Sequence, residues 1–212
     1  MRAVPRSRLV LVLLVALPGV VLGTAGIFHP ATLTLDDAER WRDIHIVALP
    51  LFPLLAIGPW LLARQAHPVA GWVALLLGYT YATFYTGLDL LAGAAAGALK
   101  LVGSDNLGTV FALASGLADV GVWAYLSAAV LAAGVVIRQV GARALPGAVV
   151  VVGASVSFLD SHIYWPRGVL TMYALALGWG ALAAVLPAHQ PAAPAARGTQ
   201  AAAASAPGPD PR

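Results

Sequence analysis

Apolar residues fall in long runs separated by short polar connections. Six such runs stand out, at 9–28, 44–62, 71–99, 109–137, 145–159 and 168–186. A helix needs about 20 apolar residues to cross a hydrocarbon core of about 30 Å, and these runs are close to that length or exceed it. They predict an all-α integral membrane protein, a six-helix transmembrane bundle forming one domain over residues 1–186. Residues 187–212 are rich in Pro, Ala, Gly and Ser and have almost no large apolar side chain. Such a segment cannot offset its own ordering entropy, which predicts a disordered cytoplasmic tail.

Two runs carry further detail. The first resembles a signal peptide in part, with Arg6 and Arg8 ahead of an apolar stretch and small residues near 21–23. Its 20 residues exceed the usual apolar region of a cleaved leader, so a retained anchor is the expectation. Pro50, Pro53 and Pro59 lie in the second run, which predicts a kinked span. Ahead of it, Thr34, Asp36 and Asp37 form a helix start, with Ala38, Trp41 and His45 on one face of the helix that follows.

Composition agrees with a membrane class. The chain is 60% apolar and only 10% charged, against about 45–50% and about 25% in soluble proteins. Its net charge of +3 is scattered rather than clustered, so no nucleic-acid footprint is present. The absence of cysteine excludes disulfides, thiolate ligands and thiol chemistry. Arginine almost to the exclusion of lysine, with abundant alanine, points to a GC-rich bacterial genome and hence to a bacterial plasma membrane.

Orientation follows from the basic residues, which are biased towards the cytoplasmic ends of spans. Arg2, Arg6, Arg8, Arg64, Arg138, Arg143, Arg197 and Arg212 fall on the side of the N-terminus, and Arg40, Arg42, Lys100 and Arg167 fall opposite. Both termini are therefore expected in the cytoplasm. Eight of the nine carboxylates then lie on the outer side, with His29, His45 and His162. Most of these acids, Asp36, Asp37, Glu39, Asp43 and Asp105, read as solvated loop residues.

Helix rise turns this sorting into a depth. His29 is 21 residues from Arg8, His45 is 19 from Arg64, Asp89 is 18 from Gly71, Asp119 is 19 from Arg138 and Asp160 is 17 from Arg143. At about 1.5 Å per residue all five sit roughly 26–32 Å above the inner boundary, and His162 joins them. Asp89 and Asp119 are the most informative, because apolar sequence continues beyond each. An ionisable residue in such a run usually faces the bundle interior or water. Tyr81, Tyr85 and Asp89 are spaced by four, as are Ser115, Asp119 and Trp123, which predicts two inward stripes and an aspartate pair at one level. Arg167 is the natural partner if the carboxylates are capped instead.

The expected ligand- or proton-binding residues are thus Asp89, Asp119, Tyr85, Asp160 and Arg167. His29, His45 and His162 have the donor types of a divalent-metal site, without a recognised spacing between them. No cofactor beyond such a metal is expected, and no histidine lies deep enough for a bis-histidine haem. No nucleophile elbow or phosphate-cradling glycine loop is present. The leading expectation is a non-catalytic protein with an outward-facing polar pocket that binds a small ligand or ion or handles protons. Two alternatives stand beside it. One is an accessory or assembly subunit packing against a membrane partner or a second copy through the small-residue run Gly93–Gly97. The other is a membrane-embedded metal-dependent or acid/base enzyme working at the outer leaflet.

Overall fold

The structure, a computed structural model, describes residues 6–104 and 106–187. Asp105, the tail from residue 188, and the basic residues and His189 within the undescribed termini lie outside it. The described elements are all helical. In chain order they are α1 (Arg6–Ile27), α2 (Ala38–Ala48), a 3-10 turn (Phe52–Ala56), α3 (Ile57–Ala66), α4 (Pro68–Leu88), a π-helical segment (Asp89–Ala95) and α5 (Ala96–Leu101). Then follow α6 (Leu107–Val140), a second 3-10 turn (Gly141–Ala144), α7 (Leu145–Phe158) and α8 (Arg167–Val185).

Among the described residues, three stretches are long and apolar enough to cross a membrane: Ser7–Ile27, Leu107–Phe158 and Arg167–Val185. The second covers two of the expected runs, joined through the 3-10 turn at Gly141, whose φ of 69° suits glycine. A fourth is reached if α2 and the Phe52–Ala66 segment, bent by 41°, are taken as one broken span. The break falls beside Pro50 and Pro53, which cannot donate to the helical ladder. The run at 71–99 is helical throughout, but α4 is not among these stretches, since Tyr79, Tyr81, Tyr85 and several threonines dilute its apolar character.

Packing is pairwise along the helices, with α4 lying on α6, α1 on α8, and α7 on α8. Small residues permit these close approaches. Ala124, Ala128, Ala132 and Ala133 form much of the buried face of α6, and a Cβ on Gly121 would meet the backbone of Tyr85 at 3.1 Å. The centre of the bundle is an aromatic column. Tyr81, Tyr125, Phe158 and Trp179 are all buried, with Trp179 Nε1 donating to Tyr125 Oη at 2.9 Å and Tyr81 Oη to the Phe52 carbonyl at 3.2 Å. Each buried polar tip therefore has a partner. This column supports the polar cluster at one end of the bundle.

Candidate metal centre

Three histidines distant in sequence meet where α1 ends, α2 passes and the α7–α8 connection folds inwards. One ring nitrogen from each of His29, His45 and His162 lies within 4.8 Å of the others. His29 and His45 are buried, and His162 is partly buried with its Nε2 shielded from solvent.

Backbone and glycine geometry place each ring. His29 follows the last turn of α1, its amide bonded to the Gly26 carbonyl at 3.3 Å. His45 sits on the buried face of α2 with Ala38 and Trp41. It reaches inwards because α2 rides over Gly93, where any Cβ would collide with the His45 ring. His162 is held in a connection pressed between α1 and α8. A Cβ on Gly26 would strike the Ile163 carbonyl, and one on Gly168 would strike that of His162.

The hydrogen bonds assign the ring tautomers. His29 Nδ1 lies 2.7 Å from the Pro30 carbonyl and His45 Nδ1 lies 2.7 Å from the Trp41 carbonyl. A carbonyl only accepts, so both Nδ1 atoms carry the proton and both Nε2 atoms present lone pairs. Those two Nε2 atoms face each other at 3.3 Å. Two lone pairs at that distance repel unless a cation lies between them. Nitrogens bound at about 2.0–2.1 Å to a tetrahedral ion are themselves about 3.3 Å apart, so the spacing fits a shared metal. His162 Nδ1 lies 2.8 Å from Tyr85 Oη, and its Nε2 has no partner among the described residues. Fixing one ring nitrogen by a carbonyl or hydroxyl while the other is left bare is how proteins orient metal-ligating histidines.

Burial keeps the imidazoles neutral, as ligation requires. It lowers His29 from 6.5 to about 4, with His45 adding to the shift against the opposing hydrogen bond to Pro30. Burial likewise holds His162 well below its ordinary value, and the neighbouring His45 and His29 act in the same direction.

Asp89 completes the cluster. It is buried, its Oδ1 lies 3.9 Å from His45 Nε2, and neither carboxylate oxygen has a hydrogen-bond partner among the described residues. It opens the π-helical segment, a departure from the regular ladder of the kind that recurs at functional sites. Trp41 Nε1 donates to the Ala92 carbonyl in that segment at 2.9 Å and so ties α2 to it. Trp41 and Tyr164 pack edge-on against His29, each with ring centroids 4.8 Å away, while Phe52 stacks on His162 at 5.2 Å.

The other expected site residues go elsewhere. Asp119 is exposed on α6, in line with Ser115 and Trp123, so that stripe faces outwards and the aspartate pair does not form. The four-residue spacing is real, but α6 turns Ala114, Gly121 and Tyr125 towards the bundle instead. Asp160 and Arg167 are exposed and pair with each other; Arg167 Nη1 donates to Asp160 Oδ2 at 3.2 Å. Arg167 therefore caps Asp160 and not Asp89. The small residues Gly93 and Gly97 pack against His45 and Arg42 of the same chain, so this run serves internal packing.

Trp41, Tyr164 and Phe52 enclose the cluster, and sequence spacing carries no signal for the last two as site residues. No family model, curated protein or solved structure matches the chain.

Proposed function

We propose that this chain is a multi-pass protein of a bacterial plasma membrane that holds a divalent transition metal, of the zinc class, through His29, His45 and His162. The observation that carries the reading is the facing pair of bare Nε2 atoms at 3.3 Å, each with its Nδ1 committed to a carbonyl. Imidazole donors suit zinc, copper, iron or nickel, whereas calcium and magnesium prefer an all-oxygen shell. The outward-facing polar pocket expected from the sequence is, in this reading, an ion-binding site rather than an aspartate-pair proton relay.

The membrane part of the proposal is supported by the outer surface. Large apolar side chains stand exposed along the long helices, among them Leu13 and Leu17 on α1, Trp72 and Leu76 on α4, Val149 on α7 and Leu177 on α8. In water so much exposed apolar surface would drive aggregation. In lipid it is the ordinary exterior of a bundle, and a bilayer would accommodate α1, the α2–α3 pair, the α4–α5 run, α6, α7 and α8 as six spans. On the arginine bias, the histidine cluster lies at the outer face and both termini lie inside.

A second reading is favoured by one further observation, the unpartnered Asp89 carboxylate 3.9 Å from His45 Nε2. Three histidines leave a coordination position open, and a carboxylate beside it suits activation of a bound water. This makes a metal-dependent hydrolytic enzyme at the outer leaflet the alternative to a binding protein.

Elemental analysis of protein purified in mild detergent tests the proposal. About one equivalent of transition metal is expected per chain, and it should be lost in the His45→Ala and His162→Ala variants. Folded protein that is metal-free and takes up neither zinc nor another first-row divalent ion overturns it.

A further inference from the structure

The end of the bundle opposite the histidines carries a different kind of site. Arg8 lies near the start of α1 and His29 just past its end, so some 21 residues, or about 30 Å of helix, separate the two regions. Beside Arg8 a cavity of about 550 Å³ opens between α1, α3 and α8, its polar lining supplied by Ser7, Arg8, Arg64 and Gln65 with no acidic residue. Among the described residues, Arg8 Nε is shielded from solvent without a hydrogen-bond partner, and neither arginine joins an ion pair. A second cavity of about 600 Å³ shares Arg8 and adds Arg143 and Gln139. Cationic donors with no counter-charge call for an anion.

The cationic cavity does not end there. Arg64 also borders a cavity of about 320 Å³ with Trp60, Trp72 and Leu75, its guanidinium carbon 5.7 Å from the Trp60 ring centre. Trp60 and Leu75 in turn border a fourth cavity of about 270 Å³, lined by apolar residues and Tyr79 up to Ala82. Cationic pocket and apolar groove therefore form one track along the α3–α4 seam. From Pro68 to Ala82 it covers 15 residues of α4, a rise of about 21 Å. A free phosphate would use only the first part of this track.

We propose that the track binds an anionic phospholipid, with the phosphate between Arg8 and Arg64 and an acyl chain along the groove between α3 and α4. Basic pockets between spans on the cytoplasmic side are suited to acidic headgroups, and the arginine-rich end of this chain is the one the positive-inside bias places there. The inference rests on the membrane part of the proposed function and not on the metal, so a metal-free protein leaves it standing.

The test uses the full chain in detergent, titrated with phosphatidylglycerol, with phosphatidylcholine of the same acyl composition, or with inorganic phosphate, and read by thermal stability and native mass spectrometry. Phosphatidylglycerol should bind and stabilise, phosphatidylcholine should do so more weakly, and phosphate should have no effect. Each arginine removed should lower the apparent affinity for phosphatidylglycerol about fivefold. Arg64 is exposed, so Arg64→Gln should fold even if Arg8→Gln does not. Equal response to the two lipids, or an undiminished response to phosphatidylglycerol in Arg64→Gln, overturns the proposal. Stabilisation by inorganic phosphate matching that by phosphatidylglycerol overturns the lipid assignment and leaves a phosphate site.

Discussion

His29 and His45 point their Nε2 atoms at each other across 3.3 Å while their Nδ1 atoms donate to the Pro30 and Trp41 carbonyls. Neither ring can relieve the contact by exchanging tautomers without breaking its own backbone hydrogen bond. With both rings neutral the repulsion is built into the local fold, and a cation between the rings would relieve it. Because the rings are fixed before any ion arrives, binding spends little free energy on ordering them.

Tyr85→Phe should weaken metal binding by about 10–100-fold while the bundle stays folded. The hydroxyl lies 2.8 Å from His162 Nδ1, and it is the only hydrogen-bond partner of that ring among the described residues. Without it the imidazole is free to rotate away from the other two. Competition against a chelator of known affinity reads the effect, and an unchanged dissociation constant would show that Tyr85 does not orient the ligand.

Asp89→Asn should affect the metal-loaded protein far more than the metal-free one. The buried carboxyl group has no hydrogen-bond partner among the described residues, so an amide of the same shape takes its place without losing a contact and should leave the metal-free melting temperature close to that of the parent. The same change removes the negative charge beside the ion and should reduce the further stabilisation that added zinc supplies. Melting curves with and without zinc provide both readouts. A variant that melts lower without metal would mean that the carboxylate holds a structural partner.

Arg167→Gln should leave metal affinity unchanged and cost less than about 1 kcal/mol of stability, as exposed ion pairs do. Arg167 and Asp160 are both exposed and pair at the rim, flanking the connection that carries His162 without touching the histidines. Chelator competition on this variant separates the rim from the centre. A tenfold loss of affinity would put Arg167 in the site.

The helices are largely legible in the sequence, because a long apolar run reports on itself. The runs at 9–28, 145–159 and 168–186 lie within a few residues of α1, α7 and α8. Level along the helices is legible as well, since helix rise is uniform, and it groups His29, His45, His162 and Asp89, but with Asp119 and Asp160, which stay outside the cluster. Azimuth is not. Asp89 and Asp119 have the same surroundings in sequence, yet one is buried and the other exposed, and that depends on how α4 and α6 are rotated against each other. The meeting of the three histidines is equally hidden, because they come from a helix end, a helix face and a connection. Such a site has no spacing motif. The one local trace is glycine, at Gly26, Gly93 and Gly168, and in a chain with 22 glycines that trace does not stand out.

Gly93 therefore offers the sharpest test of how the fold makes the site. A Cβ at this position would enter the His45 ring, so Gly93→Ala must push α2 away from the π-helical segment or rotate the imidazole. Overpacking of this kind should cost about 1–3 kcal/mol. On α6, a Cβ at Gly116 would meet nothing within 4 Å, and Gly116→Ala should instead stabilise by about 0.5–1 kcal/mol through the lost flexibility of the unfolded chain. The two variants differ by the same methyl group from the parent. Thermal melting and zinc titration of both should show Gly116→Ala with full metal binding and Gly93→Ala with lowered stability and impaired binding. If Gly93→Ala binds zinc as tightly as the parent, the close approach of α2 is not what sets the position of His45.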